Sequence, residues 1–438
     1  GTVTLLVSRN AGARRTATVT LRSTYGDLTI NYTIEQEAAS DSDPDIITFN
    51  DPNFLNAILT RKPDVDADGD GRISIAEAEA CTSLDVSESS ISDMSEIKYF
   101  TNLTELYCDY NQLTTLDVSH NLELHILWCN ENQLNQLDVS SNAELNYFCC
   151  GDNELTTLDV SSNAQLTDLR CEGNQLTQLD VTNNTQLTYL HCDGNQLTSL
   201  DVSSNAQLNI LSCEGNQLTS FDVSNNTQLT SLDCGFNQLT SLDVSNNTQL
   251  TYLVCWGNKL TTLDVSHNTQ LTHLICADNP LTSLDVSNNA QLTELRCYNN
   301  QLTQLDVSHN AQLTDLMCYD NPLTQLDVSH NAQLEWLWCY NNQLAQLDVS
   351  SNARLEWLWC FNNQLTTLDV SNNAQLTDMR CYSNQLTHLD VSNNLDLTDF
   401  ECYNNPLEEL ILAREHESAE WYPTVYDEYS SVLTFDEQ

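Results

Sequence analysis

LTYLHCDGNQLTSLDVSSNAQ, residues 187–207, decides the fold. The same pattern, LTxLxCxxNQLTxLDVSxNxQ, recurs along most of the chain. Its Cys returns every 21 residues, at Cys108, Cys129, Cys150, Cys171, Cys192 and onward to Cys402, fifteen positions in all. A period of that length belongs to a chain counted in repeats rather than in ordinary domains. In LxxLxC the apolar residues alternate, so they point inward from a short strand, while the Asn that follows can turn inward and bind backbone groups left open by the turn. Stacking such units in parallel places each strand about 4.8 Å from the next. One unit cannot bury its own apolar face, whereas a stack of them can. The second half, LDVSxN, alternates as well and reads as another short extended segment on the opposite side. The expected fold is therefore a β-rich right-handed solenoid, with parallel strands on the concave face, short extended segments on the convex face and little helix outside the caps.

The two halves LxxLxCxxN and LxxLDVSxN together match the leucine-rich-repeat pattern with Cys at its third apolar position. Over residues 103 to about 405 the chain resembles bacterial secreted leucine-rich-repeat proteins of this type.

The Cys ladder reads as small buried hydrophobes in a tight coil. In-register side chains on neighbouring parallel strands point the same way and the Cys count of 17 is odd, so free thiols are expected. Cys149, beside Cys150, falls at an outward position and is expected to react with thiol reagents. Fourteen Asp residues from Asp117 to Asp390 form a second ladder. Stacked carboxylates repel unless each accepts backbone hydrogen bonds, which would lower its pKa and make it a turn cap. Loose binding of divalent cations is the alternative.

Charge narrows the function. Lys and Arg number 14 against 62 Asp and Glu, a net charge of −48. Such a surface repels phosphate backbones and anionic lipid, so nucleic acid is not an expected partner. No apolar run reaches the roughly 18 residues of a membrane span. The chain opens at Gly1 without a leader, which reads as either a cytosolic or a processed chain.

A specific cation site precedes the repeats. Residues 66–77, DADGDGRISIAE, place Asp66, Asp68 and Asp70 at positions 1, 3 and 5 of a twelve-residue calcium loop, Gly71 at the sharp turn and Glu77 at position 12. Arg72 would give its carbonyl, and Ser74 would act directly or through water. A register starting at Asp64 fails because Ile75 then stands where the bidentate Glu belongs. FLNAILTR (54–61) and IAEAEAC (75–81) read as the flanking helices, so the segment resembles an EF-hand. The expected role of calcium is structural, fixing a helical cap onto the exposed first coil.

At the start of the chain VTLLVS, ATVTLRS and LTINYTIEQE alternate as strands do. RRTATVTLRSTYGDLTINYTIEQEA resembles the closing strands of a Bacteroidetes-associated carbohydrate-binding module, and three strands cannot close a sandwich. The expected organisation is a partial module over 1–40, linker and calcium-loop cap over 41–83, the solenoid over 84–405 with an irregular first coil, and a C-terminal cap over 406–438. These resemblances together imply a protein of Bacteroides-like bacteria that is extracellular or on the cell surface, lipid-anchored if a preceding segment carries the anchor.

Within the repeats, substitutions concentrate on the outward side of the first strand, while LTxLDVSxN hardly changes. That contrast marks a recognition surface. Trp336, Trp338 and Tyr340 hold outward positions three, five and seven of one unit, and Trp357, Trp359 and Phe361 hold them in the next. Position seven continues as Tyr298, Tyr319, Tyr340, Phe361, Tyr382 and Tyr403, beside a polar position eight; Arg296 and Arg380 flank the grid. An aromatic ladder that only stabilises the sheet is one reading. A patch of this size more often marks a binding site. Trp, Tyr and Arg are the anchors of protein interfaces, which favours a protein partner; a glycan stacked on the rings is the alternative. His191 and His273 belong to no recurring nucleophile, base and orienting group, so the chain reads as non-enzymatic, and a monomer is favoured.

Overall fold

A computed structural model describes residues 15–22, 29–36 and 45–436. The fold is a parallel-strand solenoid of about 17 turns with little helix. The chain divides into two compact units, Gly1–Leu176 and Thr177–Gln438.

In the first unit, strands Arg15–Arg22 and Thr29–Gln36 pair antiparallel in register from Arg15↔Gln36 to Arg22↔Thr29. VTLLVS and most of the acidic linker lie outside the described residues. Helix α1, Pro52–Arg61, and helix α2, Ile75–Ala80, follow. The parallel strands begin with Ser83–Asp85 and continue at Glu105–Tyr107, Ile126–Trp128, Tyr147–Cys149 and Asp168–Arg170.

The second unit repeats the same strand every 21 residues from Tyr189–His191 to Asp378–Arg380, and then at Asp399–Glu401. The central apolar residue of each strand faces that of the neighbouring coil, as in Leu316↔Leu337 and Leu337↔Leu358, with Met379 and Phe400 taking the place of Leu in the last two strands. The first Leu, the central Leu and the Cys of a coil are fully buried together, as Leu334, Leu337 and Cys339 are. This inward stripe, with the Val of LDVS on the far side, is the core.

Two Asn ladders hold successive coils together. After each Cys, the Asn side chain donates to the carbonyls of its own Cys and of the preceding coil's Cys, and accepts from the backbone of the LT segment. Asn258 does so through Cys255 O at 3.0 Å, Cys234 O at 3.0 Å and Leu239 N at 2.9 Å. On the other side the Asn of SxN reaches back one coil; Asn247 donates to Val223 O and Asn226 O, both at 2.9 Å. Buried backbone groups in a tight coil need such partners, because no water reaches them.

The LDV segment pairs as strand less widely than expected. Among the described residues it does so through single bridges at Asp243↔Asp264 and Asp306↔Asp327 and through a parallel sheet of His388–Asp390, Glu409–Leu412 and Leu433–Phe435. The cause is local. The Asp carboxylate accepts the N–H two residues on, as Asp327 does from Ser329 at 2.9 Å, so the chain turns directly after the Asp and the extended segment stays short.

At the C-terminal end, helix α3, Tyr422–Tyr429, and a short 3₁₀ turn, Arg414–Ser418, bring side-chain donors to carbonyls that a further coil would otherwise satisfy. His416 Nε2 meets Asn394 O at 3.0 Å, Trp421 Nε1 donates to Leu397 O at 3.1 Å, and Tyr429 Oη donates to Cys402 O at 3.1 Å.

Candidate functional site

Asp66, Asp68 and Asp70 present carboxylate oxygens within 4.8 Å of one another. Gly69 and Gly71 lie at φ +71° and +78°, conformations that bend the loop around that point and that a side chain resists. Glu77 is turned toward the loop: Oε1 accepts Ala67 N at 3.0 Å, and Oε2 accepts Ser74 N and Ser74 Oγ, both at 2.8 Å, closing a capping box on α2. Arg72 N donates to Asp70 Oδ1 at 2.8 Å. Burial and then the neighbouring carboxylates Asp70, Glu77 and Asp66 push the Asp68 carboxyl above its ordinary range. The donor set is hard oxygen with excess negative charge, which fits calcium.

Ile73, between the loop's ends, is fully buried and bonded to a strand-like partner from its own chain. Ile47 N donates to Ile73 O at 2.9 Å, Ile75 N donates to Asp45 O at 2.8 Å, and Ile46 bridges Ser74. In a paired calcium-loop arrangement a second loop would supply such a bridge. Asp51 caps α1 through Asn53 N at 2.8 Å and also accepts Ser92 N at 2.6 Å and Ser92 Oγ at 2.9 Å from the first coil. Against its burial, these bonds from Ser92 and Asn53 hold the Asp51 carboxyl below its usual range. Phe54, fully buried, faces Phe100 of that coil at 6.3 Å between ring centroids.

In the second unit the parallel register sets Trp336 beside Trp357 and Trp338 beside Trp359. Trp336 and Trp357 stack at 5.3 Å and 21°, and Trp338 and Trp359 at 4.3 Å and 6°. Position seven is a continuous stack: Tyr298, Tyr319, Tyr340, Phe361, Tyr382 and Tyr403 follow one another at 4.2 to 4.4 Å with interplanar angles of 12° or less. Each inner ring is therefore covered on both faces and presents an edge outward. Arg380 lies 4.4 Å over the Trp359 ring and binds Asp378 through Nε at 3.1 Å. Arg296 does not flank the grid. Its strand is separated from Trp338 by Asp315–Met317, and it pairs with Glu294 at 2.6 Å.

The polar residues of position eight have a backbone reason. Asn299, Asp320, Asn341, Asn362, Ser383 and Asn404 all sit at φ between +50° and +55°, a region that Asn and Asp tolerate and bulky residues avoid. They also bond to one another: Asn341 Nδ2 donates to Asp320 Oδ1 and Asn362 Nδ2 to Asn341 Oδ1, each at 2.7 Å.

A second cluster escaped the sequence reading. Asp193 Oδ2 binds His191 Nε2 at 2.7 Å and accepts Ser212 Oγ at 2.8 Å, while Asp193 Oδ1 accepts Glu214 N at 2.8 Å. Beside it Asp233 is pushed up to about 7 by burial and by the charges of Glu214 and Asp193. The Trp256 ring lies over Gly235, where an added Cβ would meet it at 2.5 Å, and contacts Phe236 edge-on at 4.0 Å. His191 is thus half-buried and paired with Asp193. Acidic residues at positions five and seven of consecutive units were the available signal.

Two thiol expectations part company. The Cys residues are free and buried. Cys149 is buried with them, against the outward position expected of it, and burial followed by the Glu172 charge pushes its thiol up to about 12. The LDVS carboxylates behave as caps: hydrogen bonds from the Ser hydroxyl and N–H hold residues such as Asp201, Asp285 and Asp348 below the ordinary carboxylate range.

No family model matches the chain. Internalin J of Listeria monocytogenes serotype 4b is 40% identical over 73 residues, an alignment spanning 17% of this chain and 8% of that protein. The structure of the functional domain of that internalin from Listeria monocytogenes, which includes a cysteine ladder, is 42% identical with a TM-score of 0.73, over 78% of this chain and 76% of that one. The chain is a leucine-rich-repeat protein of internalin type. This internalin-type chain also shares its fold with a Leptospira interrogans leucine-rich-repeat protein, at 24% identity and TM-score 0.70 over 83% and 97% of the two chains. The same holds for the ectodomain of the Arabidopsis thaliana receptor kinase GASSHO1, determined in complex with Casparian strip integrity factor 2, at 23% identity and TM-score 0.64 over 75% and 48%. No helix among the described residues is long and apolar enough to cross a membrane.

Proposed function

We propose that this chain is a non-enzymatic, extracellular or surface-held recognition protein that binds a protein partner on its strand face, with a structural calcium ion in the loop Asp66–Glu77. The observation that carries the reading is the run of stacked rings through Trp336, Trp338, Tyr340 and the position-seven column, placed at outward positions while the opposite half of each repeat stays nearly constant. Apolar area held rigid and ordered before contact loses little entropy on binding. Kinship with an internalin supports the extracellular setting, and the receptor ectodomain, solved in complex with an integrity factor, supports a protein partner for this fold. The calcium ion would take oxygens from Asp66, Asp68, Asp70 and Glu77, the carbonyl of Arg72 and Ser74 directly or through water, and would hold α1 and α2 on the first coil. Like the 1–40 carbohydrate-module remnant, the Bacteroides-type origin and the division of the chain at 40, 83 and 405, this cap assignment rests on the sequence resemblances.

A glycan partner is the second reading. Sugar stacking needs open ring faces, and most ring faces here are occupied by the next ring, which places protein recognition ahead. The test is a surface-protein array and a glycan array, run in calcium buffer with the parent and with a variant carrying Trp→Ala at 336, 338, 357 and 359. Protein hits that the variant loses support the proposal. Glycan hits lost in the same way would replace it with the second reading.

A further inference from the structure

We infer that the partner seated on the tryptophan and tyrosine columns is a basic protein segment, one that joins Lys or Arg side chains to a flat apolar patch; this deepens the protein-recognition reading and rests on it. Three observations give the surface its chemistry. The first is orientation. With Tyr319, Tyr340, Phe361 and Tyr382 each covered on both faces, the columns offer ring edges, and the Nε1 atoms of Trp338 and Trp359 are buried. The outward surface at those two indoles is hydrocarbon, with no donor for a hydroxyl-rich ligand.

The second is charge. On the five coils around the grid, from Leu313 to Glu401, the strand positions three and five and the residue before them carry six carboxylates, Asp315, Glu335, Glu356, Asp378, Asp399 and Glu401, against the single guanidinium of Arg380. Arg380 is already engaged by Asp378 at 3.1 Å and Glu401 at 3.9 Å and stacked on Trp359. The third is placement. Glu335 and Glu356 immediately precede Trp336 and Trp357, at a position that is Thr in the neighbouring coils (Thr314, Thr377, Thr398), and among the described residues neither carboxylate has an ion pair. Two carboxylates stand where the repeat calls for Thr, on the two coils that carry the tryptophans. A cationic partner gains attraction there that salt screens over about 8 Å at physiological ionic strength, and an anionic partner is repelled.

The experiment is selection of a random peptide-display library on the immobilised full chain, with binding of the enriched consensus peptide measured at 0.05 and about 0.5 M salt. Glu335→Gln with Glu356→Gln, isosteric changes at a half-buried and an exposed position, tests charge, and the four Trp→Ala changes test the columns; circular dichroism confirms that each variant is folded. Enriched peptides should combine Lys or Arg with aromatic or aliphatic residues, and affinity should fall about tenfold on the double Gln change, about fivefold or more at high salt, and be lost in the Trp variant. Neutral or acidic enriched peptides, or affinity indifferent to the Gln changes, would overturn the basic partner while leaving protein recognition standing. Enrichment that survives the Trp changes, or none at all, would overturn the surface as the site. Hits confined to a parallel glycan array would take down the protein reading itself.

Discussion

Asn341 and Asn342 are adjacent and chemically identical, yet the structure assigns them opposite roles, and Ala at each should separate those roles. Asn342 is buried. Its Nδ2 donates to Cys318 O at 3.1 Å, Cys339 O at 3.0 Å and Tyr340 O at 3.2 Å, and its Oδ1 accepts Leu323 N at 3.0 Å. Asn342→Ala leaves the Leu323 N–H without that partner inside the coil, at about 1–3 kcal/mol, and weakens three carbonyls that keep other donors. The expected total is about 2–4 kcal/mol. Asn341 is half-buried, and its bonds to Asp320 and Asn362 run along the solvated surface. Asn341→Ala gives up those solvated bonds and, at φ +52°, the short polar side chain through which Asn tolerates a left-handed backbone better than Ala; this costs about 1 kcal/mol, and Asn341→Gly should recover most of the backbone part. Because repeat arrays can open locally, the assay is urea unfolding followed by tryptophan fluorescence, joined to amide hydrogen exchange over residues 318–345. Equal losses at 341 and 342, or a loss below about 0.5 kcal/mol at 342, would refute the ladder as the source of inter-coil cohesion.

Chelating calcium should lower the melting temperature and speed hydrogen exchange in residues 45–103, with Glu77→Gln mimicking the effect; an unchanged melting temperature would remove the structural metal. Asp233 binds a proton up to about pH 7 when folded but only near its ordinary 3.8 when unfolded, so its burial weakens the fold progressively as pH rises from about 4 to 7 and no further above. Asp233→Asn keeps an acceptor for Gly235 N and should therefore raise the melting temperature at pH 8 while leaving it level near pH 3.5; a loss at pH 8 would contradict the repulsion. Cys149 should stay unmodified by iodoacetamide in the native state at pH 8, since its thiol titrates only near 12; rapid native labelling would contradict its burial.

Sequence alone determined the repeat. A Cys every 21 residues, Leu at fixed offsets and an Asn after each Cys leave one economical arrangement, because only stacked coils bury those apolar residues while pairing the backbone. It also isolated the acidic loop and the aromatic columns, since both are patterns of residue type along the chain. What the chain could not show was everything set by neighbours one coil away. Cys149 reads as outward from its own unit but is covered in the folded chain, and Arg296 reads as flanking the grid but pairs with Glu294 behind an intervening strand. The column at position eight reads from the chain only as polar, whereas its φ of +50° to +55° gives the reason: such positions favour residues that tolerate a left-handed backbone. Whether rings offer faces or edges is likewise a matter of distance between coils: side chains on adjacent parallel strands about 4.8 Å apart close to stacking distance and cover one another. The 21-residue period is a property of sequence; what each outward side chain presents to a partner is decided by the coil beside it.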